Sequence, residues 1–235
     1  MIKIIIVCLV CSLTYPVYAQ RFESASQQTV IELFTSEGCS SCPPAEHWLA
    51  SFVSHPQLFK TLFPMAFHVD YWNQLGWHDR FSSNEYSQRE RVYKQQGAMR
   101  QVYTPGVLVN GKEWRGWYRK QTLPVDDMSK AGLTVDINKH QLQARVTGLQ
   151  PQKLILNVAY LGMGLSSKVS SGENSGKYLS HEFVVLDYKN QLGRDEWTMT
   201  LPEIPDFGQK QTAVVVWLSN LNQLKPMYIA GGLLE

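Results

Sequence analysis

Hydrophobic and polar positions in the first half of the chain alternate between the periods of strands and helices. Residues 29–35 (TVIELFT) form a short apolar run with several β-branched side chains, which predicts a buried strand. A second apolar run over residues 62–69 predicts another strand. Between these runs the apolar residues recur at helical spacing on one face, namely Ala45, Trp48, Leu49, Phe52 and Val53. The pattern therefore predicts a strand, a helix and a second strand.

The next segments predict a loop, a helix and a hairpin. Residues 70–81 form an aromatic-rich stretch that predicts a loop. His68 and Asp70, at the end of the second predicted strand, are structural groups or, as a less favoured alternative, ligands or acid/base groups. Ser82 and Glu85 have the spacing of a capping box, which predicts a helix from there to about residue 96. Asn110-Gly111 lies between two strand-like runs and predicts a tight hairpin turn. A further helical pattern over residues 119–131 is interrupted by a proline.

From about residue 133 the pattern changes to short strands separated by turns. Strands without a convincing helix between them are predicted over residues 133–137, 141–146, 153–161, 181–186, 196–201, 212–219 and 227–233. Regular spacing of short strands is typical of an antiparallel sandwich. We therefore predict one domain of strands and helices over residues 20–131, followed by an all-β sandwich-like domain over residues 132–235.

The longest predicted connection, over residues 166–180, contains the sequence SGENSG at 171–176. Loops of about 15 residues are uncommon unless they are functional or mobile. Two interpretations remain open for this segment. It brings the second half of the chain to a functional face of the first half, or it is a flexible turn.

Residues 1–19 have the pattern of a secretory signal peptide. Lys3 precedes an apolar stretch over residues 4–13, and Val17-Tyr18-Ala19 resembles a cleavage site. An uncleaved anchor is less favoured, because about 20 apolar residues are needed to span a bilayer. Cleavage leaves 216 of the 235 residues and lowers the formal net charge from +2 to +1. We expect a periplasmic or secreted protein without stable membrane insertion, and a charge so near zero predicts no nucleic-acid partner.

Cys39 and Cys42 are the candidate reactive groups. The chain has four cysteines, and the other two, Cys8 and Cys11, lie in the predicted signal peptide. The pair lies where the predicted strand gives way to a helix, and unpaired N–H groups at a helix start favour a thiolate over a thiol. We predict that Cys39, nearer the solvent, is the attacking thiolate and that Cys42 resolves the mixed disulfide.

The strand, the C-x-x-C at a helix start and Thr104-Pro105 before a hairpin together resemble the thioredoxin fold. This resemblance implies an α/β thioredoxin-like domain, a cis bond at Pro105 that faces the dithiol, and backbone at Thr104 that aligns a partner. More narrowly, VIELFTSEGCSSCPPAE, AFHVDYWNQLGW and VYTPGVLVNG resemble a family of secreted bacterial thioredoxin-like proteins, domain of unknown function 1223. Ser40-Ser41 replaces the Gly-Pro of ordinary thioredoxins, so their redox potential does not transfer to this chain.

The predicted function is that of a thiol–disulfide oxidoreductase acting on a protein or small-molecule thiol or disulfide, without a cofactor. Ser40 and Ser41 are expected to donate hydrogen bonds to the Cys39 thiolate, whereas the charges of Glu37 and Glu46 oppose it. We therefore expect a Cys39 pKa modestly below the value of about 8.5 for a free cysteine. The direction of the exchange depends on reduction potentials and stays open.

Three further residues are assigned to the predicted site. Glu32 interrupts the first apolar strand, so it is either a buried carboxyl that exchanges a proton with Cys42 or a paired glutamate that faces solvent. Trp72 and Trp77 either border the partner surface beside the dithiol or pack to fix the long loop.

Other interpretations of the cysteine pair compete with exchange. A purely structural disulfide is one, although closing so short a ring stabilises a fold by only about 2 kcal/mol. A zinc site is weaker, because it requires four ligands and a second C-x-x-C is absent from residues 20–235, the predicted mature chain. Copper binding or copper delivery is an alternative, because soft thiolates suit Cu(I). The last alternative is a redox-inert binding module on a thioredoxin scaffold.

Overall fold

The computed structural model describes residues 19–235, so the predicted signal peptide lies outside the described residues except for Ala19. The helices are α1 Pro43–Ala50 and α2 Asn84–Gln95. The strands are β1 Gln20–Glu23, β2 Gln27–Thr35, β3 Leu62–His68, β4 Gly106–Val109, β5 Lys112–Glu113, β6 Asp126–Asp127, β7 Gly132–Asn138, β8 Gln141–Thr147, β9 Leu154–Met163, β10 Leu165–Lys168, β11 Tyr178–His181, β12 Val184–Gly193, β13 Glu196–Thr200, β14 Gln211–Asn220 and β15 Gln223–Leu233.

The main feature is a nine-stranded sheet in the order β15-β14-β9-β12-β3-β2-β4-β5, with β6 added beside β2. β2 and β3 are parallel, and Thr29 lies opposite Leu62. β12 begins parallel to β3, where Val184 lies opposite Ala66, and then continues antiparallel to β9. One sheet therefore contains strands from both halves of the chain.

The predicted fold class, an α/β thioredoxin-like domain followed by an all-β sandwich-like domain, is wrong. The described chain is 46% strand and 14% helix, with two α-helices and large multi-stranded sheets. The physical reason is the pairing of β12 with β3. Val184 and Val185 are fully buried there, so strands of the second half extend the sheet of the first half.

The two faces of β2 are buried by different elements, because successive side chains of a strand point to opposite faces. Ile31 and Leu33 pack with Ala45 and Leu49 of α1. Phe34 belongs instead to the larger cluster that contains Tyr86 and Tyr93 of α2. Both faces of β2 are therefore covered, and any polar side chain in this strand must find a partner inside the protein.

A second sheet, in the order β1-β7-β8-β13, packs its apolar face on the main sheet. Every second residue of β7 and β8 is buried, as expected for a sheet with one solvent face. Leu133, Val135 and Leu142 meet Val214 and Val216 of β14 in this core. The strand pattern predicted for the second half is thus present, although the strands belong to three sheets.

Several local predictions are confirmed and two are corrected. The strand over 29–35 and the turn at Asn110-Gly111 are present, and both turn residues have positive φ, 51° and 73°. The helix cap lies one residue later than predicted, since Ser83 accepts from the Glu85 N–H. No α-helix forms over 119–131, where β6 pairs with β2 instead. Within residues 19–235, no helix is long and apolar enough to cross a membrane.

Candidate functional site

The site is centred on a disulfide between Cys39 and Cys42, located between the end of β2 and the start of α1. The two Cα atoms are 5.5 Å apart. Cys42 is the N-cap residue of α1, and prolines follow at the first helical positions, where the missing N–H groups cost nothing. Cys39 Sγ lies 3.3 Å from the Ser41 hydroxyl oxygen. The structure therefore places the predicted pair of sulfurs at a helix start, in the oxidised form.

Both cysteines are completely buried, so the predicted exposure of Cys39 to solvent is wrong. The turn that contains them is bound by a loop of the second half, residues 169–177, which we call the 169–177 loop. Asn174 donates from Nδ2 to the carbonyl oxygens of Glu37 at 2.8 Å and of Cys39 at 3.0 Å. The Ser40 N–H donates to the Glu173 carboxylate at 3.0 Å. The segment SGENSG therefore lies against the disulfide turn.

Trp72 and Trp77, the two tryptophans assigned to the predicted site, lie beside this turn. Trp77 donates from Nε1 to the Glu37 carboxylate at 2.7 Å. Gly172 packs closely on Trp77, since a Cβ added at Gly172 would lie 3.2 Å from the Trp77 Cβ. Trp72 donates from Nε1 to the Thr104 hydroxyl at 2.8 Å. Its Cβ would lie 3.2 Å from a Cβ added at Gly38, next to Cys39. Trp72 therefore links the disulfide turn to Thr104.

The bond between Thr104 and Pro105 is cis, as the resemblance implied. The Tyr103 N–H just before this bond donates to the Glu90 carboxylate of α2 at 2.8 Å. Ser40 and Ser41 are exposed, whereas Trp72, Trp77, Thr104 and Pro105 are half-buried. These six predicted residues therefore form a partly accessible rim around a buried disulfide.

The structure does not bring Glu32 to the disulfide. Its carboxylate accepts from the Arg89 guanidinium at 2.7 Å and from the Tyr93 hydroxyl, both on α2. Glu32 and Leu33 point to opposite faces of β2, because they are neighbours in a strand. Helix α1, which begins after Cys42, packs on the face of Leu33, so Glu32 lies on the other side of the sheet from the cysteine. The proton exchange predicted between Glu32 and Cys42 is therefore replaced by a buried ion pair on the other side of the sheet.

A different set of titratable side chains lies next to the disulfide turn, and we call it the Glu–His cluster. Its members are Glu37, Glu46, His68, Asp79 and His181, all of them buried. His181 contacts Glu46 through Nδ1 and Glu37 through Nε2, the latter at 3.1 Å. His68 Nδ1 is 2.7 Å from Asp79 Oδ2, and Asp79 also accepts from the Glu37 N–H. The cluster joins the end of β3, the start of α1 and β11.

Electrostatics in the cluster favour charged side chains despite burial. Burial by itself lowers the pKa of His181, but the Glu46 charge and the hydrogen bonds to Glu37 and Glu46 raise it to about 10. Burial raises the pKa of Glu46, but the charge and hydrogen bond of His181 bring it below its usual value. Glu37 and Glu46, expected to oppose a thiolate, are thus both bound by the cationic His181.

Sequence patterns did not identify His181 as a site residue, and they identified Asn174 only as part of the segment SGENSG, for which two interpretations were open. His181 is 135 positions from Glu46, and Asn174 is 135 positions from Cys39. No local spacing relates residues so far apart in the chain. Glu46 had a usable signal, because it lies one helical turn after Cys42 and its N–H donates to the Cys42 carbonyl at 3.1 Å.

Comparisons with known proteins identify a family and two structures of similar fold, and they assign no chemistry to this chain. The family described as "Protein of unknown function (DUF1223)" matches residues 30–219. No curated protein matches significantly. An X-ray crystal structure of a protein from Agrobacterium tumefaciens is similar, with 24% identity, a TM-score of 0.62, and coverage of 88% of this chain and 93% of that one. HBP35 of Porphyromonas gingivalis is similar with 16% identity, a TM-score of 0.58, and coverage of 89% and 76%.

Proposed function

Because this chain belongs to the family described as "Protein of unknown function (DUF1223)", we propose its function from the site itself, as thiol–disulfide exchange through Cys39 and Cys42. The observation that supports this most is the position of the disulfide at the first turn of α1. The first helical positions are prolines, and the N–H groups of Ala45 and Glu46 donate to the Cys42 carbonyl, so the positive end of the helix dipole is the feature that favours a thiolate there. The ring is too short to contribute more than about 2 kcal/mol to folding, which makes a purely structural role weak.

In the proposed reaction the reduced protein transfers two electrons to a disulfide of a partner. The Cys39 thiolate attacks one partner sulfur, a bond forms between those two sulfurs, and the other partner sulfur leaves as a thiolate. The Cys42 thiolate then attacks Cys39 Sγ, which releases the second partner thiolate and closes the Cys39–Cys42 disulfide. The reverse sequence oxidises a partner dithiol, and the two reduction potentials decide the direction.

Exchange requires the turn to open, because both sulfurs are buried. The 169–177 loop is the segment we assign to this opening. Glu173 is exposed, and Asn174 is the one buried residue over 171–177. We assign the exposed Ser40 and Ser41, together with Trp72, Trp77, Thr104 and Pro105, to contact with the partner once the loop has moved.

The compartment is part of the same proposal. The signal peptide predicted over residues 1–19 would deliver the protein to the periplasm or outside the cell, where disulfides persist. A protein or small-molecule thiol or disulfide is the partner we propose, and no cofactor is needed for the exchange itself. The direct test of location is fractionation of cells that express the full chain, with N-terminal sequencing of the mature protein.

Trapping of a mixed disulfide tests the exchange. We expect reduced Cys42→Ser protein to form a stable mixed disulfide with oxidised glutathione or a disulfide peptide, because the resolving thiol is absent. Cys39→Ser is the matched control, and we expect it to form adducts at least ten times more slowly. Mass spectrometry measures both rates. Equal rates in the two variants would show that Cys39 is not the nucleophile. If neither variant forms adducts and the wild type does not reduce insulin, the redox-inert binding module is favoured.

A further inference from the structure

The Glu–His cluster has more negative charge than its own cations balance. It contains three carboxyl groups, from Glu37, Glu46 and Asp79, and two imidazoles, from His68 and His181. Even with both imidazoles protonated, the formal charge of these ionised groups is −1. Over residues 19–235, the ion pairs of these three carboxylates are made with the two histidines and with no lysine or arginine. Buried charges in proteins are normally paired or bound to a metal ion.

His68 provides an independent observation. Its ring is completely buried, and Nε2 has no hydrogen-bond partner among the described residues. Nδ1 is bound to Asp79, which is itself fixed by the N–H groups of Glu37 at 2.9 Å and Phe81 at 3.0 Å. A neutral imidazole that donates its Nδ1–H to a carboxylate has its lone pair on Nε2. This is the usual arrangement of a histidine that binds a metal ion.

Ligand atoms converge next to this free nitrogen. One ring nitrogen of His68, one of His181 and one carboxylate oxygen of Glu46 all lie within 4.8 Å of one another. Two imidazoles and one glutamate are a known ligand set for Zn²⁺, with a fourth position left open. Ligands at about 2.0–2.1 Å from a tetrahedral ion are roughly 3.3 Å apart, so binding requires only small movements of these side chains.

We propose that Glu46, His68 and His181 bind a divalent transition-metal ion, with Zn²⁺ as the best match, next to the turn that contains the disulfide. A ligating imidazole is neutral, so His68 and His181 each release to solvent any second ring proton that they carry in the metal-free protein. Asp79 acts as the positioning residue that orients His68, and Glu37 retains its contact with His181. The site is separate from the two thiols and goes beyond the proposed exchange reaction.

Titration of the oxidised, metal-free full-length mature protein with Zn²⁺ at pH 8 tests the site. Because the sulfurs are joined in the disulfide, they do not compete as ligands. We expect one Zn²⁺ per chain by calorimetry, and Co²⁺ in its place should give the visible absorption bands of a low-symmetry site. His68→Gln and Glu46→Gln should weaken binding at least 100-fold, and Asp79→Asn should weaken it 10–100-fold.

His140→Gln is the matched control, since His140 is half-exposed on another part of the molecule, and we expect its affinity to be unchanged. A crystal of wild-type protein soaked in Zn²⁺ needs no variant, and an anomalous peak between His68, His181 and Glu46 would support the proposal even if a variant does not fold. Absence of stoichiometric binding by the wild type, or an anomalous peak only elsewhere, overturns it. The exchange test in Cys42→Ser is independent of these outcomes.

Discussion

At the scale of single residues, Arg89 is a buried charge held by several contacts. Its guanidinium donates to Glu32 at 2.7 Å and stacks within 5.2–5.6 Å of four aromatic rings, those of Phe67, Tyr93, Tyr188 and Trp217. We predict that Glu32→Gln lowers the free energy of unfolding by roughly 3–5 kcal/mol, because a buried cation then lacks its anion. Urea denaturation measures this loss. The rate of disulfide reduction in the folded variant should stay at the wild-type value.

The exposed pair of Glu23 with Arg21 supplies the control for that experiment. Both side chains are more than half exposed, so Glu23→Gln should change the unfolding free energy by less than about 1 kcal/mol. If Glu32→Gln is as stable as Glu23→Gln but its thiol–disulfide exchange is slower than that of the wild type, Glu32 takes part in the exchange reaction. The prediction therefore separates a structural carboxylate from a proton carrier.

The Glu90 carboxyl, which binds the loop before Pro105, makes the stability of the protein depend on pH. Burial raises its pKa from 4.5 to about 7, although the Tyr103 N–H and the Tyr71 hydroxyl both donate to it. The native state therefore binds this proton more tightly than the unfolded chain. The contribution of this proton to the free energy of unfolding is about 3 kcal/mol. It is complete below pH 4.5 and is lost as the pH rises to about 7.

Substitution of Glu90 tests that pH dependence. We predict that Glu90→Gln, which cannot ionise, removes this fall in stability between about pH 4.5 and 7. Urea denaturation of both proteins at several pH values measures the difference between their slopes, so the titration of other groups cancels. Parallel profiles of the two proteins would show that Glu90 ionises in the native state as easily as in the unfolded chain.

At the scale of elements, the 169–177 loop is the segment to which we assign control of access to the disulfide. Asn174 donates two buried hydrogen bonds to the turn that contains Cys39, and each contributes about 0.5–1.5 kcal/mol. We predict that Asn174→Ala increases the rate of disulfide reduction by dithiothreitol roughly tenfold, because opening of the loop becomes easier. Stopped-flow thiol release measures this rate.

Ser175→Ala is the matched control within the same loop. Ser175 is exposed, and its hydroxyl donates only to the Ser170 carbonyl of the loop itself at 3.1 Å. Its reduction rate should equal that of the wild type. If Asn174→Ala is reduced no faster than Ser175→Ala, another segment must open to expose the sulfurs, and the 169–177 loop loses its assigned role.

Local chemistry explains which elements were predictable. The strand before Cys39 and the turn at Asn110-Gly111 follow from short apolar runs and from residues that accept positive φ. The cysteine pair at a helix start was equally visible in the sequence. The partners of that pair were not, since His181 and Asn174 reach it only through the long-range pairing of strands. Glu32 was misplaced for the same reason, because Arg89 is 57 positions away.

At the scale of the whole molecule, the sequence predicted most strands but not their neighbours. An alternating or fully apolar run indicates how many faces of a strand are buried, but it does not indicate which strand lies beside it. The segment 184–185 therefore suited a separate sandwich as well as the edge of β3, where the structure places it. The choice depends on the remainder of the core, which local patterns do not describe.

That shared core makes a prediction about a fragment of the chain. Phe34 and Phe67 of the first half pack in one cluster with Val185, Tyr188 and Trp217 of the second half. A fragment of residues 20–131 would expose these apolar surfaces and the unpaired edge of β3. We predict that it does not fold alone, as judged by near-ultraviolet circular dichroism and amide proton dispersion, and that mixing with a 132–235 fragment restores native signals. A monomeric, cooperatively unfolding 20–131 fragment would instead show that the first half holds its own complete core.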